Sequence, residues 1–271
     1  MLNEYRPKAA RQLGIDEVHA ILVNARVSDL TIDGRELVYP VGHACAKIQG
    51  FLEITFTRRD IFEHWKGFFN ARRPFFFTDA VASQLALLRR VLPQPIRLLR
   101  ATEAGAALFT FDAQAPRYIL KKEALSWSTQ DLVLGIRHEW GIAEAPAQQL
   151  YEAYRRGEMS PRMAASLESL ARPGMNNLLR QLHALNIKDN VHVSSPLPLY
   201  KFVQAQRRPL VPLQPPPLKE ALRAMGFAMA RNDVGDDTLF VNLAVFLEFY
   251  YDKYESHVNQ WFKSRLHWLT P

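Results

Sequence analysis

A chain of 271 residues with 48% hydrophobic and 23% charged residues has the composition of a globular protein, long enough for one large domain or two ordinary ones. A formal charge of +7 admits nucleic acid or an acidic membrane surface as a partner but demands neither, because the basic residues are scattered. No run of about 18 apolar residues suits a transmembrane helix. The N-terminus lacks the apolar centre of a secretory signal, and Cys45, the only cysteine, leaves no partner for an internal disulfide. A cytoplasmic setting is the expectation, with Cys45 as a core residue.

In chain order, residues 7–14 predict a short helix stopped by Gly14. Alternation from Val18 to Leu30 predicts a long strand, and Asp33-Gly34 is a strong hairpin dipeptide. Leu37-Val38-Tyr39 opens a second strand, cut short by Pro40 and Gly42. A third runs from Ile48 through Phe51, Ile54 and Phe56, and RRDIFEHWKGFF then places Ile61, Trp65 and Phe68 on one helical face. The long strands 18–30 and 50–56 are expected to be neighbours in a small sheet backed by the Trp65 helix. Asp79 caps a helix to Val91, stopped by Pro93 and Pro95. Strands are expected at 96–100, 106–111 and 118–120.

Beyond them the pattern is mostly helical. Ser128 caps a helix that ends at Gly141, a second runs from Ala145 to Arg156, and Ser160-Pro161 opens a third to about His183. Pro173-Gly174 is expected to interrupt that third helix. A short strand is expected at Val191–Val193. The proline-rich stretch 194–217 reads as an extended surface crossover, and an aromatic helix is expected from Thr238 to about Leu266. The fold class is therefore α+β. Residues 1–75 form a small interaction subdomain of three strands plus a helix, and residues 76–271 a helix-rich α/β domain.

Chemistry-bearing motifs are scarce. Glu248, Asp252 and Glu255 share a helical face, which suits a solvated stripe as well as acid–base work. The histidines lack the spacing of a zinc site, and Ser194-Ser195 has no nucleophile-elbow context. Neither GxxxxGK[ST] nor GxGxxG occurs, so no backbone nest for phosphate is readable. Pro74-Phe75-Phe76-Phe77 beside Arg72-Arg73 has residue types found on base-stacking surfaces and also in apolar cores.

Longer-range order gives a resemblance. Residues 17–65, with Asp33-Gly34, Pro40-Val41-Gly42 and Lys47-Ile48 at matching places, resemble the small inserted subdomain of bacterial FtsA/PilM-type actin-like proteins. IRLLRATEAGAALFTFD resembles the segment by which that family returns to its second actin-like half. Residues 118–157 resemble its strand followed by a G-x-x-x-T-x-D-I helix and an A-E-x-L-K helix, with Thr129, Asp131, Ala145 and Gln149-Leu150 in corresponding positions. The resemblance spans roughly residues 15–185 and continues loosely through His192–Leu199. It implies an actin-like mixed sheet after the small subdomain, and it makes Thr129, Asp131 and Gln149 family-matched cofactor-binding candidates.

The family's phosphate and adenosine glycines are absent. The N-terminal Asp-x-Gly loop would precede the matched region. Asp112-Ala113-Gln114-Ala115-Pro116 stands at the second loop, and Val193-Ser194-Ser195-Pro196 at the adenosine glycine pair. The expectation is an actin-like, nucleotide-free assembly scaffold in a bacterial division, pilus or secretion complex, with no catalytic residues and no metal. Protein partners or self-association are expected at the inner face of the membrane. Asp33, Gly34, Phe51, Ile54, Trp65, Phe249, Tyr250 and Trp261 are the interaction candidates. A basic nucleic-acid-binding protein is the alternative, as is a piece of a longer actin-like ATPase, for which ATP and magnesium would return as cofactors.

Overall fold

The computed structural model describes residues 2–36, 42, 44, 46–68, 78–103, 105–114, 117–197, 199, 211–227 and 237–250. The expected strand at Leu37–Tyr39, Cys45, the Arg72–Phe77 stretch, Asp252, Glu255 and Trp261 lie outside the described residues, as do the side chains of Phe51, Phe249 and Tyr250. Two compact units divide the chain between Ser83 and Gln84, the second running to Glu248.

In the first unit, helix α1 (Leu2–Leu13) precedes a three-stranded antiparallel sheet of order β2-β1-β3, formed by β1 (Ala20–Ile32), β2 (Arg35–Glu36) and β3 (Ile48–Arg58). Strands β1 and β2 join through Asp33 and Gly34, with φ of 50° and 79°. Two successive positive φ values define the tight hairpin turn whose twist matches its strands, which is why Gly follows Asp here. The Asp33 carboxylate then accepts hydrogen bonds from the backbone of Lys47 at 2.8 Å and Ala46 at 3.4 Å. Its own N–H donates to the Lys47 carbonyl at 2.9 Å. One side chain thus fixes where the chain re-enters the sheet as β3. The β1–β3 ladder has two register shifts, each placing one extra residue in β1. Such bulges sharpen the twist of a ribbon.

Helix α2 (Arg59–Phe68) follows β3 directly, and its Arg59 guanidinium donates to the Val18 carbonyl at 2.9 and 3.3 Å. None of its described side chains is buried, and Ile61, Trp65 and Phe68 are 43%, 42% and 72% exposed. The apolar stripe read as backing the sheet is therefore partly exposed, Ile61 and Trp65 less so than Phe68.

The second unit centres on a five-stranded mixed sheet of order β6-β5-β4-β7-β8. Its strands are β4 (Ile96–Thr102), β5 (Gly105–Gln114), β6 (Arg117–Leu125), β7 (Val191–Ser194) and β8 (Leu213–Gln214). The meander β4-β5-β6 is antiparallel, whereas β7 and β8 lie parallel to β4. Strands β5 and β6 are longer than their apolar runs suggest, because ladder pairing extends from Ala106↔Leu125 to Gln114↔Arg117 regardless of residue type. Helix α3 (Ala80–Leu88), capped by the Asp79 carboxylate on the Ala82 N–H at 2.8 Å, leads into β4.

Between β6 and β7 come α4 (Thr129–Trp140), α5 (Glu144–Arg155) and α6 (Pro161–Ala184). Their buried residues, including Leu132, Ile136, Tyr151, Leu167, Leu178 and Leu182, pack in one cluster with Leu99, Ala101, Leu108 and Val193 of the sheet. Helix α6 is continuous through Pro173-Gly174, contrary to the expected interruption. Proline inside a helix costs about 3 kcal/mol, but burial of Met175, Leu178, Leu179 and Leu182 beyond it outweighs that cost. A Cβ at Gly174 would stand 3.4 Å from the Trp127 ring nitrogen, so the indole lies in contact distance over this point of the helix. The proline-rich stretch closes on β8 and a short helix, α7 (Leu218–Ala224), and α8 (Asp237–Tyr250) ends the described chain.

Leu99 is wholly buried at the centre of the sheet. Leu99→Ala should lower unfolding free energy by about 2–5 kcal/mol. Leu134→Ala, at a position 46% exposed on α4, should change it by less than about 0.5 kcal/mol in the same urea titration.

Candidate functional site

Three places in the second unit bring polar side chains together. At the carboxyl end of β7, Ser194 receives a hydrogen bond from the Gln84 side-chain amide at 2.8 Å and donates to the Asp237 carboxylate at 2.5 Å. Gln84 and Ser194 are buried, and Asp237 is half-buried at the start of α8. The residues come from α3, β7 and α8, so the chain of bonds ties three elements across 43 and 110 positions of sequence. The Gln84 carbonyl oxygen is buried without a partner. Ser195 is buried too, its hydroxyl accepting from the Leu197 N–H at 3.2 Å. In open sheets with parallel strands, ligands favour the carboxyl ends where strand order reverses, which here means the ends of β4 and β7. Serine side chains engaged with protein occupy the end of β7.

At the opposite, amino end of the same strands a cleft of about 400 Å³ opens between the α3–β4 and α6–β7 connections, lined by Leu92–Arg97, Lys188–Asn190, His192 and Gln214. His192 is buried. Its Nδ1 lies 3.3 Å from the Pro215 carbonyl, and its Nε2 lies 3.2 Å from the Gln214 amide nitrogen. A carbonyl only accepts, so Nδ1 bears the proton, and Nε2 accepts from the amide. The neighbours thus suit the neutral ring. Burial holds its pKa below the ordinary 6.5, with the Pro215 contact opposing. Arg97 and Asp189 form an ion pair at the mouth.

The third place contains the family-matched cofactor candidates. Asp131 and Ser128 form a capping box at the start of α4, with bonds of 2.9 and 3.2 Å. Thr129 is buried beside Tyr151 of α5, yet neither hydroxyl reaches hydrogen-bond geometry. Burial pushes the Tyr151 hydroxyl pKa up. Gln149 is exposed on α5. The fold brings Thr129 and Asp131 together at one helix start and leaves Gln149 on a separate helix.

Of the interaction candidates, Asp33 and Gly34 form the exposed β1–β2 turn, Ile54 is half-buried on β3, and Trp65 is exposed on α2 with edge contacts to His64 and Phe68. Phe51 lies in β3, and Phe249 and Tyr250 close α8. On β5, Phe109 and Phe111 share a sheet face, but Lys122 lies 5.9 Å above the first ring and Arg89 4.8 Å above the second, using π surface that a base would need. Among the described residues, no group of His, Cys, Asp and Glu could hold a metal ion, and no helix is long and apolar enough to cross a membrane.

Gln84, Asp237, His192 and the Arg97–Asp189 pair were not singled out from sequence. Only Gln84 left a local signal there, as an uncharged polar residue inside the apolar helix AVASQLALL.

No protein-family model and no curated protein matches the chain. A solved structure, titled as a PilM-PilN type IV pilus biogenesis complex, is similar with a TM-score of 0.58 and 14% identity, over 92% of this chain and 71% of that one. A glycerol dehydratase reactivase, at a TM-score of 0.35 and 12% identity over 91% of this chain and 49% of that one, is too distant to weigh. The first likeness is one of fold: a small strand-rich part followed by an actin-like mixed sheet with its helices.

His192 gives a measurable consequence. Its folded pKa lies below the unfolded value, so the unfolded chain binds the proton first as pH falls. Its contribution to stability is complete above about pH 6.5 and declines below it until the folded pKa is reached. Between pH 7.5 and 5.5, urea titrations should show a steeper loss of stability in the parent than in His192→Gln.

Proposed function

We propose that the chain is an assembly scaffold of actin-like fold that works by binding protein partners, at the inner face of a bacterial membrane, and does so without nucleotide. The observation that carries the reading is the fold likeness to a chain of a PilM–PilN type IV pilus biogenesis complex, an assembly of two proteins. The excess of positive charge suits a position near anionic lipid.

The nucleotide-free part rests on positive contacts. The Ser194 hydroxyl is already held between Gln84 and Asp237, and Ser195 is buried against the Leu197 backbone. Asp112–Gln114 continues the β5–β6 ladder, pairing out to Arg117. Those N–H groups that bond across the ladder are not offered to phosphate. Thermal melts with ATP and magnesium should therefore leave Tm unchanged. A ligand at a hundred times its dissociation constant would add about 2.7 kcal/mol, and an upward shift of that size would favour the actin-like ATPase instead.

The partner-binding part rests on the first unit. Apart from Ser83, Ala10, Ala20, Ile32 and Val81 are the buried residues among those of the unit whose side chains are described, whereas Val18, Ile48, Ile61, Trp65 and Phe68 stand exposed. Exposed apolar residues clustered in one small unit mark a docking surface. Phe68→Asp should leave the melting temperature of the isolated protein within about 1–2 °C, since exposed sites rarely change stability by more than about 0.5 kcal/mol. It should weaken partner capture in pull-downs and lower any concentration-dependent mass in light scattering. A fall in Tm of several degrees would instead mark Phe68 as internal packing.

A further inference from the structure

The cleft at the amino ends of β4, β7 and β8 has no part in the scaffold reading, and its chemistry points to a ligand. We infer that it binds a carboxylate attached to a short apolar body. Its volume of about 400 Å³ falls within the range of small-molecule sites. Its lining combines apolar Leu92, Pro93 and Pro95 with polar Lys188, Asn190 and the Arg97–Asp189 pair.

Charge selects the sign of the ligand. The Arg97 side chain is 17% exposed and Asp189 is 57% exposed, so the guanidinium is held in the wall while its carboxylate partner stands at the water-facing rim. An ion pair with one solvated member is weak and exchangeable. A ligand carboxylate can take over the planar guanidinium fork, for which it is the natural complement. Lys188 makes no ion pair among the described residues and leaves the cleft one positive charge in excess. The floor is neutral and fixed, because the His192 ring is held between Gln214 and Pro215. A ligand meets the Arg97 guanidinium, Lys188, an amide, an imidazole and apolar side chains within one lining.

The test uses the full chain and nuclear magnetic resonance titration with benzoate and hexanoate. Acetate serves as the carboxylate without a body, and phosphate as an anion of other chemistry, all at constant ionic strength. Saturable shifts confined to Lys188–Asn190, His192 and Gln214 are expected for benzoate or hexanoate. Acetate and phosphate should each bind about tenfold more weakly, and Lys188→Gln should weaken benzoate several-fold while remaining folded, its side chain being exposed. Absence of saturable shifts, phosphate binding as tightly as benzoate, or unchanged affinity in the Lys188→Gln protein would each overturn the assignment. Arg97→Gln should abolish the benzoate shifts, and retained affinity in it would overturn the assignment; should it fail to fold, the Lys188 variant decides alone.

Discussion

Strand β4 is the element on which the second unit depends, because it is buried on both faces. Leu98 and Leu99 are successive residues that point to opposite sides of the sheet, and both are wholly buried. On the Leu99 side the register aligns Leu108 and Val193, and α4, α5 and α6 complete the cluster. On the Leu98 side lie His192 and Ser194, with Gln84 of α3 and Asp237 of α8 drawn to Ser194. A parallel strand neighbour requires a crossover, and the long segment between β6 and β7 supplies three helices to cover one face. The mixed sheet and its two helical layers follow from that one doubly buried strand.

The two faces are not chemically alike. The Leu99 face carries the main apolar cluster, whereas the Leu98 face has a histidine and a serine on β7 at successive same-side positions. Each buried polar group needs a partner, and each has found one from a distant element: Pro215 and Gln214 for His192, Gln84 and Asp237 for Ser194. Buried polar networks specify arrangement more than they add stability. Here they fix how α3, β8 and the start of α8 sit against β7. The unsatisfied Gln84 carbonyl oxygen is the residual cost at one end of that network.

Sequence pattern located most elements because their causes are local. The Ser128 and Ser160 caps, the Gly141 terminus at φ 61° and the Asp33-Gly34 turn are each decided within four residues. What the pattern missed is settled at longer range. Continuity of α6 through Pro173 depends on burial against the sheet, and β8 is a two-residue strand recognised only by its pairing to β7. The order of elements also suggested the actin-like architecture, which the fold likeness supports at a level where 14% identity leaves no short motif. The polar clusters were illegible for a related reason: Gln84 and Ser194 lie 110 positions apart, and neither is unusual alone.

The first unit shows how much a single turn can decide. Asp33 occupies a left-handed backbone conformation, where its short side chain is tolerated, and spends its carboxylate on Ala46 and Lys47. That pins the backbone of Ala46 and Lys47 beside the β1–β2 turn. Strand β3 consequently starts in register with the end of β1, Ile32 opposite Ile48, and two bulges in β1 keep the ladder paired to Ala20↔Arg58. Helix α2 then emerges at a fixed point, tied by Arg59 to the Val18 carbonyl. The anchor is at its first residue, and the remaining turns leave Ile61, Trp65 and Phe68 partly exposed. The Asp33 turn, remote from α2 in sequence, thus sets where β3 begins and where α2 follows it.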